Sequence, residues 1–359
     1  MQNKLQQVFP MIKNRQEVME EIRNDPNLMK TFKEWSNQQQ EYFLNFVTGA
    51  SGVKLLYDSF FKEIMNPETV PERMNRLLSL ILKKDVKILQ VLPVDNTRLG
   101  DEASLVIMDI VVKLEDGSIV NVEVQKIGYL FPGQRSACYS ADLLLRQYKA
   151  ARQKKKENQK RFSYKDVKPV YTIVFFEKSP KEFRAFPNIY LHNSSQRTDT
   201  GLKLELLQNF VFIPLDIFRK NLHNKHITND LDAWLAFLSM DDPETILELI
   251  HYHPDFKAMY RHLYDICQNI ERVMDMFSKE LQELDKNTVQ LMIDEMQDTI
   301  DAQKGTIDAQ KDTIDAQKGT IDVQKDTIDA QKDTIDAQKK ALDDKDKLIH
   351  DLQQKLKTL

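Results

Sequence analysis

Apolar positions change their period along the chain, and each change marks a new region. Up to about residue 50 they recur at mixed three- and four-residue spacings, as at Val18, Met19 and Ile22 and at Phe32 and Trp35, which predicts helices. Asn24-Asp25-Pro26-Asn27 places a turn between two of them, and residues 1–50 read as a helical cap on the next region. From about 51 to 225 helix and strand patterns alternate. Leu55 to Met65 and Pro71 to Leu82 read as helices and Val86 to Leu92 as a short strand. Leu105 to Leu114 and Ile119 to Gln125 read as strands around Glu115-Asp116-Gly117, and Gln134 to about Gln159 as a long helix. Val170 to Phe176 and Phe210 to Leu215 are compact apolar runs, suited to strands buried on both faces. The order α-β-β-β-α-β calls for an α/β fold, a mixed sheet flanked by helices. Residues 226–297 are helical again: Leu231, Trp234, Leu235 and Leu238 share one helix face, and Asp242-Pro243 starts a fresh helix. His251 and His253 stand two apart there, a spacing that does not put both on one helix face, so they read as surface histidines rather than a metal pair.

The last region, 298–359, has a strict period of seven. Six near-identical heptapeptides run from Thr299 to Lys340 and align Ile300, Ile307, Ile314, Ile321, Ile328 and Ile335; Leu342, Ile349 and Leu356 keep the phase. A strong coiled coil wants two apolar residues per heptad, and here the second position is Gln, as at Gln303. Gly305 and Gly319 each cost a helix about 1 kcal/mol against Ala. The stripe therefore predicts a weak homo-oligomerisation helix, improved near its end by Ile349, Leu352, Leu356 and Leu359. The alternative is a helix that forms only on contact with a partner.

Composition narrows the functional classes. Two cysteines in 359 residues, Cys138 and Cys267, exclude a disulfide framework and a cysteine-based zinc site, and fit a reducing compartment. No stretch approaches the 18 apolar residues of a membrane span, and Met1 to Arg15 has no secretory apolar core, so a cytoplasmic protein without a membrane partner is expected. The net charge of −4 hides a local excess: from Arg146 to Lys168 there are ten Lys and Arg against Glu157 and Asp166. Such a run is a candidate contact for nucleic-acid phosphates, which position without specifying sequence; the alternative is a solvated helix end, where Lys also suits the helix C-terminus.

The hairpin is the most informative stretch. A two-residue Asp116-Gly117 loop would pair Asp109 with Val124. A three-residue loop, with Gly117 in the left-handed position of a bulged turn, pairs Leu114 with Ser118 and Asp109 with Glu123. Only the second register gives one wholly apolar face (Met108, Ile110, Val112, Val120, Val122, Val124) and collects Asp109, Asn121, Glu123 and Gln125 on the other. Opposed carboxylates about 4.5–5.5 Å apart repel unless something neutralises them. A divalent cation such as Mg²⁺ does so, taking one or two carboxylates plus waters and phosphate oxygens. Alternation alone leaves another reading open, a solvated strand face with no chemistry.

An Asp, a hairpin and then Glu-x-Gln, here Asp109, Glu123 and Gln125, resembles the active-site signature of the PD-(D/E)XK nuclease superfamily, in the branch that ends in Gln rather than Lys. Asp58-Ser-Phe-Phe-Lys62 resembles that branch's opening Asp-x-x-Phe-Lys, and Arg135, Tyr139 and Gln147 resemble its Arg…Tyr…Gln series on the following helix. The chain is thus similar, over roughly residues 50–220, to the recombination-promoting nucleases and transposases of that superfamily. The resemblance implies a restriction-endonuclease-like α-β-β-β-α-β core at 51–225, metal-dependent DNA cleavage, and a link to recombination or mobile elements.

Under that resemblance Asp109 and Glu123 are the expected ligands of Mg²⁺, with Mn²⁺ an alternative. Gln125 stands where many relatives have Lys; a neutral amide supplies no charge and no general base, but it can position a water. Asp58 either faces the site from its helix or caps that helix. Lys62, Arg135, Lys154, Lys155, Lys156, Lys160 and Arg161 are the expected DNA contacts, which would place the protein on the nucleoid when bound. Two rival readings remain: a protein of this fold with a weakened site that binds DNA or protein without cutting, and an interaction protein built around its tail.

Overall fold

The N-terminal helices are set by their caps. In a computed structural model that describes residues 3–93, 110–126, 132–194, 196, 198–202, 204–222, 226–227 and 229–357, they are α1 (Lys4–Val8), α2 (Arg15–Asn24), α3 (Pro26–Glu34) and α4 (Asn37–Val47). Asn3, Asn14 and Ser36 close capping boxes with Gln6, Glu17 and Gln39. Asp25 both ends α2 and caps α3, with Pro26 in its first turn, so the expected turn is a single residue. The chain divides into two compact units, Met1–Leu291 and Met292–Leu359.

In the first unit the chain continues through α5 (Asp58–Ile64), α6 (Pro71–Leu82), β1 (Ile88–Leu92), β2 (Ile110–Leu114), β3 (Ile119–Gln125), α7 (Pro132–Glu157) and β4 (Val170–Phe176). It then forms β5 (His192–Ser194), β6 (Gln208–Pro214), α8 (Leu215–Leu222), α9 (Asp230–Ser239), α10 (Pro243–Tyr252), α11 (Phe256–Ile266) and the first part of α12 (Ile270–Lys357), whose residues from Met292 on belong to the second unit. The mixed sheet has the order β1-β2-β3-β4-β6-β5; β3, β4 and β6 run parallel and the other neighbours antiparallel. The α-β-β-β-α-β order expected from the sequence is present. Two details differ. The helix expected from Leu55 starts at Asp58, because Leu55 and Leu56 are buried in the preceding turn and apolar periodicity reports burial, not helicity. The edge strand β5 is held by backbone pairing to β6 and carries no alternating pattern.

The sheet is covered on both faces. Ile110, Val112, Val120 and Val122 join Ile173, Phe175 and the helical layers in the main core. Val111, Ile119 and Val170 pack under Tyr139 and Leu143 of α7.

In the second unit the heptads are helical throughout. Ile300, Ile307, Ile314, Ile321, Ile328 and Ile335 are each at least half exposed. The repeating threonines turn inward on their own helix: Thr299 donates to Glu295 O at 2.9 Å and Thr306 to Ala302 O at 3.0 Å, and the pattern recurs up to Thr334. Among the described residues no helix is long and apolar enough to cross a membrane.

Candidate active site

The hairpin turn fixes which side chains meet. Gly117 sits at φ +85°, Leu114 N–H donates to Ser118 O at 2.9 Å, and Gly117 N–H donates to Leu114 O at 2.9 Å. Asp116 braces the loop by accepting from Ser118 N–H at 2.8 Å and pairing with Lys84 at 3.0 Å. This is the three-residue loop, and the register runs Ile110↔Val122, Val111↔Asn121, Val112↔Val120 and Lys113↔Ile119. Asn121, Glu123 and Gln125 therefore share the face that packs against α7. Asp109, the residue before Ile110, lies outside the described residues.

That face is not solvated. Glu123 is 4% exposed, Gln125 5% and Asn121 fully buried, so the wet-face reading fails for these residues. Asn121 Nδ2 donates to Glu123 Oε1 at 2.9 Å. The Gln125 amide, at both its oxygen and its nitrogen, and the Asn121 Oδ1 have no hydrogen-bond partner among the described residues. A buried polar atom left so costs about 1–3 kcal/mol. One carboxylate beside two unclaimed amide oxygens is an all-oxygen donor set of the kind that hard divalent cations take, so these residues fit such an ion. Among the described residues no group of three or more His, Cys, Asp or Glu converges on one point.

Asp58 is tied elsewhere. It is the first residue of α5, whose preceding Tyr57 makes no side-chain cap; its carboxylate accepts from Lys62 at 2.9 Å, and its backbone N–H donates to Glu280 Oε2 at 3.1 Å. Glu280 of α12 is 2% exposed and forms a buried ion pair with Lys126, the residue after Gln125. Burial pushes the Glu280 carboxyl up even against the Lys126 ammonium. Beside it Lys54 pairs with Glu177, whose backbone N–H donates to Gln125 O at 2.8 Å, and Lys54 and Lys126 both lie over the Tyr57 ring, at 5.7 and 6.0 Å. Sequence reasoning missed both pairs, although Lys126 continues the apolar stripe Val120, Val122, Val124 and such a residue needs a buried opposite charge.

On α7, Arg135 is half-buried and donates to the buried Tyr139 hydroxyl at 3.2 Å, so it braces the helix. Gln147 Oε1 accepts from the Lys168 backbone N–H. Lys154, Lys156, Lys160 and Arg161 are exposed, whereas Lys155 pairs with Asp166 at 2.9 Å.

A family model described as PD-(D/E)XK nuclease family transposase matches residues 55–295. No curated protein and no solved structure matches the chain.

Proposed function

The chain belongs to the PD-(D/E)XK nuclease family transposases, and from that premise we propose that it is a metal-dependent DNA endonuclease acting in recombination or on mobile elements, with residues 51–225 as the catalytic domain. The observation that carries this is the buried Glu123 carboxylate beside the unclaimed Gln125 amide, on the strand face that the hairpin register defines. Asp109 and Glu123 would hold Mg²⁺, or Mn²⁺ in its place. A bound cation supplies positive charge to the scissile phosphate and lowers the pKa of a water. Asn121 orients Glu123 through its 2.9 Å hydrogen bond. The Gln125 oxygen can accept a hydrogen bond from the attacking water and fix its approach, but it cannot take its proton. Plasmid cleavage with Mg²⁺, and its loss with EDTA, tests the reading; no cleavage under either condition favours the second reading, a weakened site that binds without cutting, for which Gln125 in place of Lys is the supporting feature.

The cations of the last turn of α7 and of the segment that follows it are the proposed phosphate contacts. Replacing Lys154, Lys155 and Lys156 with Gln is expected to weaken DNA binding for all sequences and to make the slope of log K against log salt shallower by about 0.9 for each phosphate that is no longer neutralised. An unchanged slope in a binding titration would remove these lysines from the interface.

For the tail we propose a parallel homodimer through residues 298–359. One apolar residue per heptad buries little, so the repeats contribute only when all are in register, and association is expected to be cooperative and weak, at about micromolar affinity. Sedimentation at tens of micromolar should show a dimer that truncation at Met296 abolishes. A clean monomer of the full chain removes this proposal, and with it the idea that two copies of the site serve the two strands. A cytoplasmic protein that joins the nucleoid when bound to DNA follows from the same reading.

A further inference from the structure

Within the basic segment the chain places three aromatic rings that no core claims. Tyr148 of α7 meets Phe162 at 5.4 Å and Tyr164 at 6.2 Å between ring centroids, and Phe162 meets Tyr164 at 5.5 Å. The Tyr148 and Tyr164 ring planes lie within 15° of parallel. Tyr164 is 77% exposed, the most exposed large apolar or aromatic residue among those described.

The cluster is held rigidly. Ser163 caps the short turn Tyr164–Asp166, Ser163 N–H donates to Asp166 at 2.9 Å, and Asp166 pairs with Lys155 of α7 at 2.9 Å. Gln147 fastens the far end of the segment through Lys168. Arg152 donates to the Tyr148 hydroxyl at 3.1 Å and lies 5.9 Å from its ring, and the same segment carries Lys149, Lys154, Lys156, Lys160, Arg161 and Lys165.

Phosphate binding needs the cations alone. It gives no reason to hold an aromatic face in water on a braced turn. Base stacking does: unpaired bases stack on aromatic side chains beside a cationic groove that follows the backbone, whereas the base faces of a duplex are already occupied. We propose that Tyr148, Phe162 and Tyr164 form a stacking platform for unpaired DNA, so that the preferred ligand carries a single-stranded stretch or end that reaches the hairpin-turn end of the sheet, where Lys168 lies against Gly117. This rests on the reading that the basic segment contacts DNA.

The test uses the full chain in EDTA, a labelled single-stranded oligodeoxynucleotide and a blunt duplex of the same sequence. Wild type is compared with Tyr164→Ala, Tyr164→Phe and the double variant Lys154→Gln/Lys156→Gln. Tyr164→Ala is expected to weaken single-strand binding about tenfold more than duplex binding, the loss expected for one stacked base, and Tyr164→Phe to restore it. The lysine variant is expected to weaken both ligands. If it does so while Tyr164→Ala lowers neither ligand, or both equally, the stacking platform is overturned and phosphate contact stands. If the lysine variant lowers neither, the DNA-contact reading falls and the platform with it.

Discussion

Glu123→Gln is expected to abolish Mg²⁺-dependent cleavage while leaving the chain folded. The two effects have separate causes. Loss of a partner that merely orients a metal ligand costs roughly 10–100-fold, so loss of the ligand itself should exceed the upper end of that range. The fold should survive, because Glu123 is 4% exposed and a neutral amide of nearly the same shape fills the same space. The Asn121 Nδ2 bond survives the change, since Gln still offers an oxygen there. Asp109→Asn should behave alike if Asp109 faces Glu123. Plasmid cleavage with and without Mg²⁺, read beside a thermal melt of the same preparation, decides the matter. A folded Glu123→Gln variant that still cuts removes Glu123 from the site.

The sheet was legible in the sequence because its signals are local. One glycine at a left-handed position chose between two registers, and the pairs from Ile110↔Val122 to Lys113↔Ile119 follow from it. Val170–Phe176 could be read to the residue because a strand buried on both faces is a continuous apolar run. What could not be read is what covers a face. The wet-strand alternative for Glu123 stood open because alternation tells which side chains share a side, not whether a helix lies over them. In the structure Tyr139 and Leu143 of α7 pack over Val111, Ile119 and Val170 on that side of the sheet, and Glu123 itself is buried. The partner of Lys126 was hidden for a related reason: its position in an apolar stripe demands a buried anion, but nothing local selects Glu280, 154 residues on, from the 55 acidic residues of the chain. Asp58 shows the same limit, since the motif gives its place in α5 but not its attachment to Lys62 and Glu280.

That long-range pair carries the largest stability effect expected. Lys126 is 8% and Glu280 2% exposed, so removing either partner leaves an uncompensated charge in the core. Lys126→Met and Glu280→Leu should each lower the unfolding free energy by about 3–5 kcal/mol. The double variant should recover much of this, because two apolar side chains can replace a buried pair at little cost. Recovery should fall short by about 1–3 kcal/mol, since the Asp58 N–H loses its acceptor, Glu280 Oε2. The pH response separates the two single variants. Burial already holds the Glu280 carboxyl above its ordinary range, and loss of the Lys126 ammonium raises it further. A carboxyl whose folded pKa exceeds its unfolded one is least costly below the unfolded value, and its cost is fully present above the folded value. The Lys126→Met deficit should therefore shrink on acidification through the folded Glu280 pKa, whereas the Glu280→Leu deficit, with no carboxyl left to protonate, should not. Urea unfolding at neutral and mildly acidic pH measures both. Single losses that simply add in the double variant would mean that the two charges are not coupled, and that the Lys126–Glu280 contact does not anchor the end of β3 to α12.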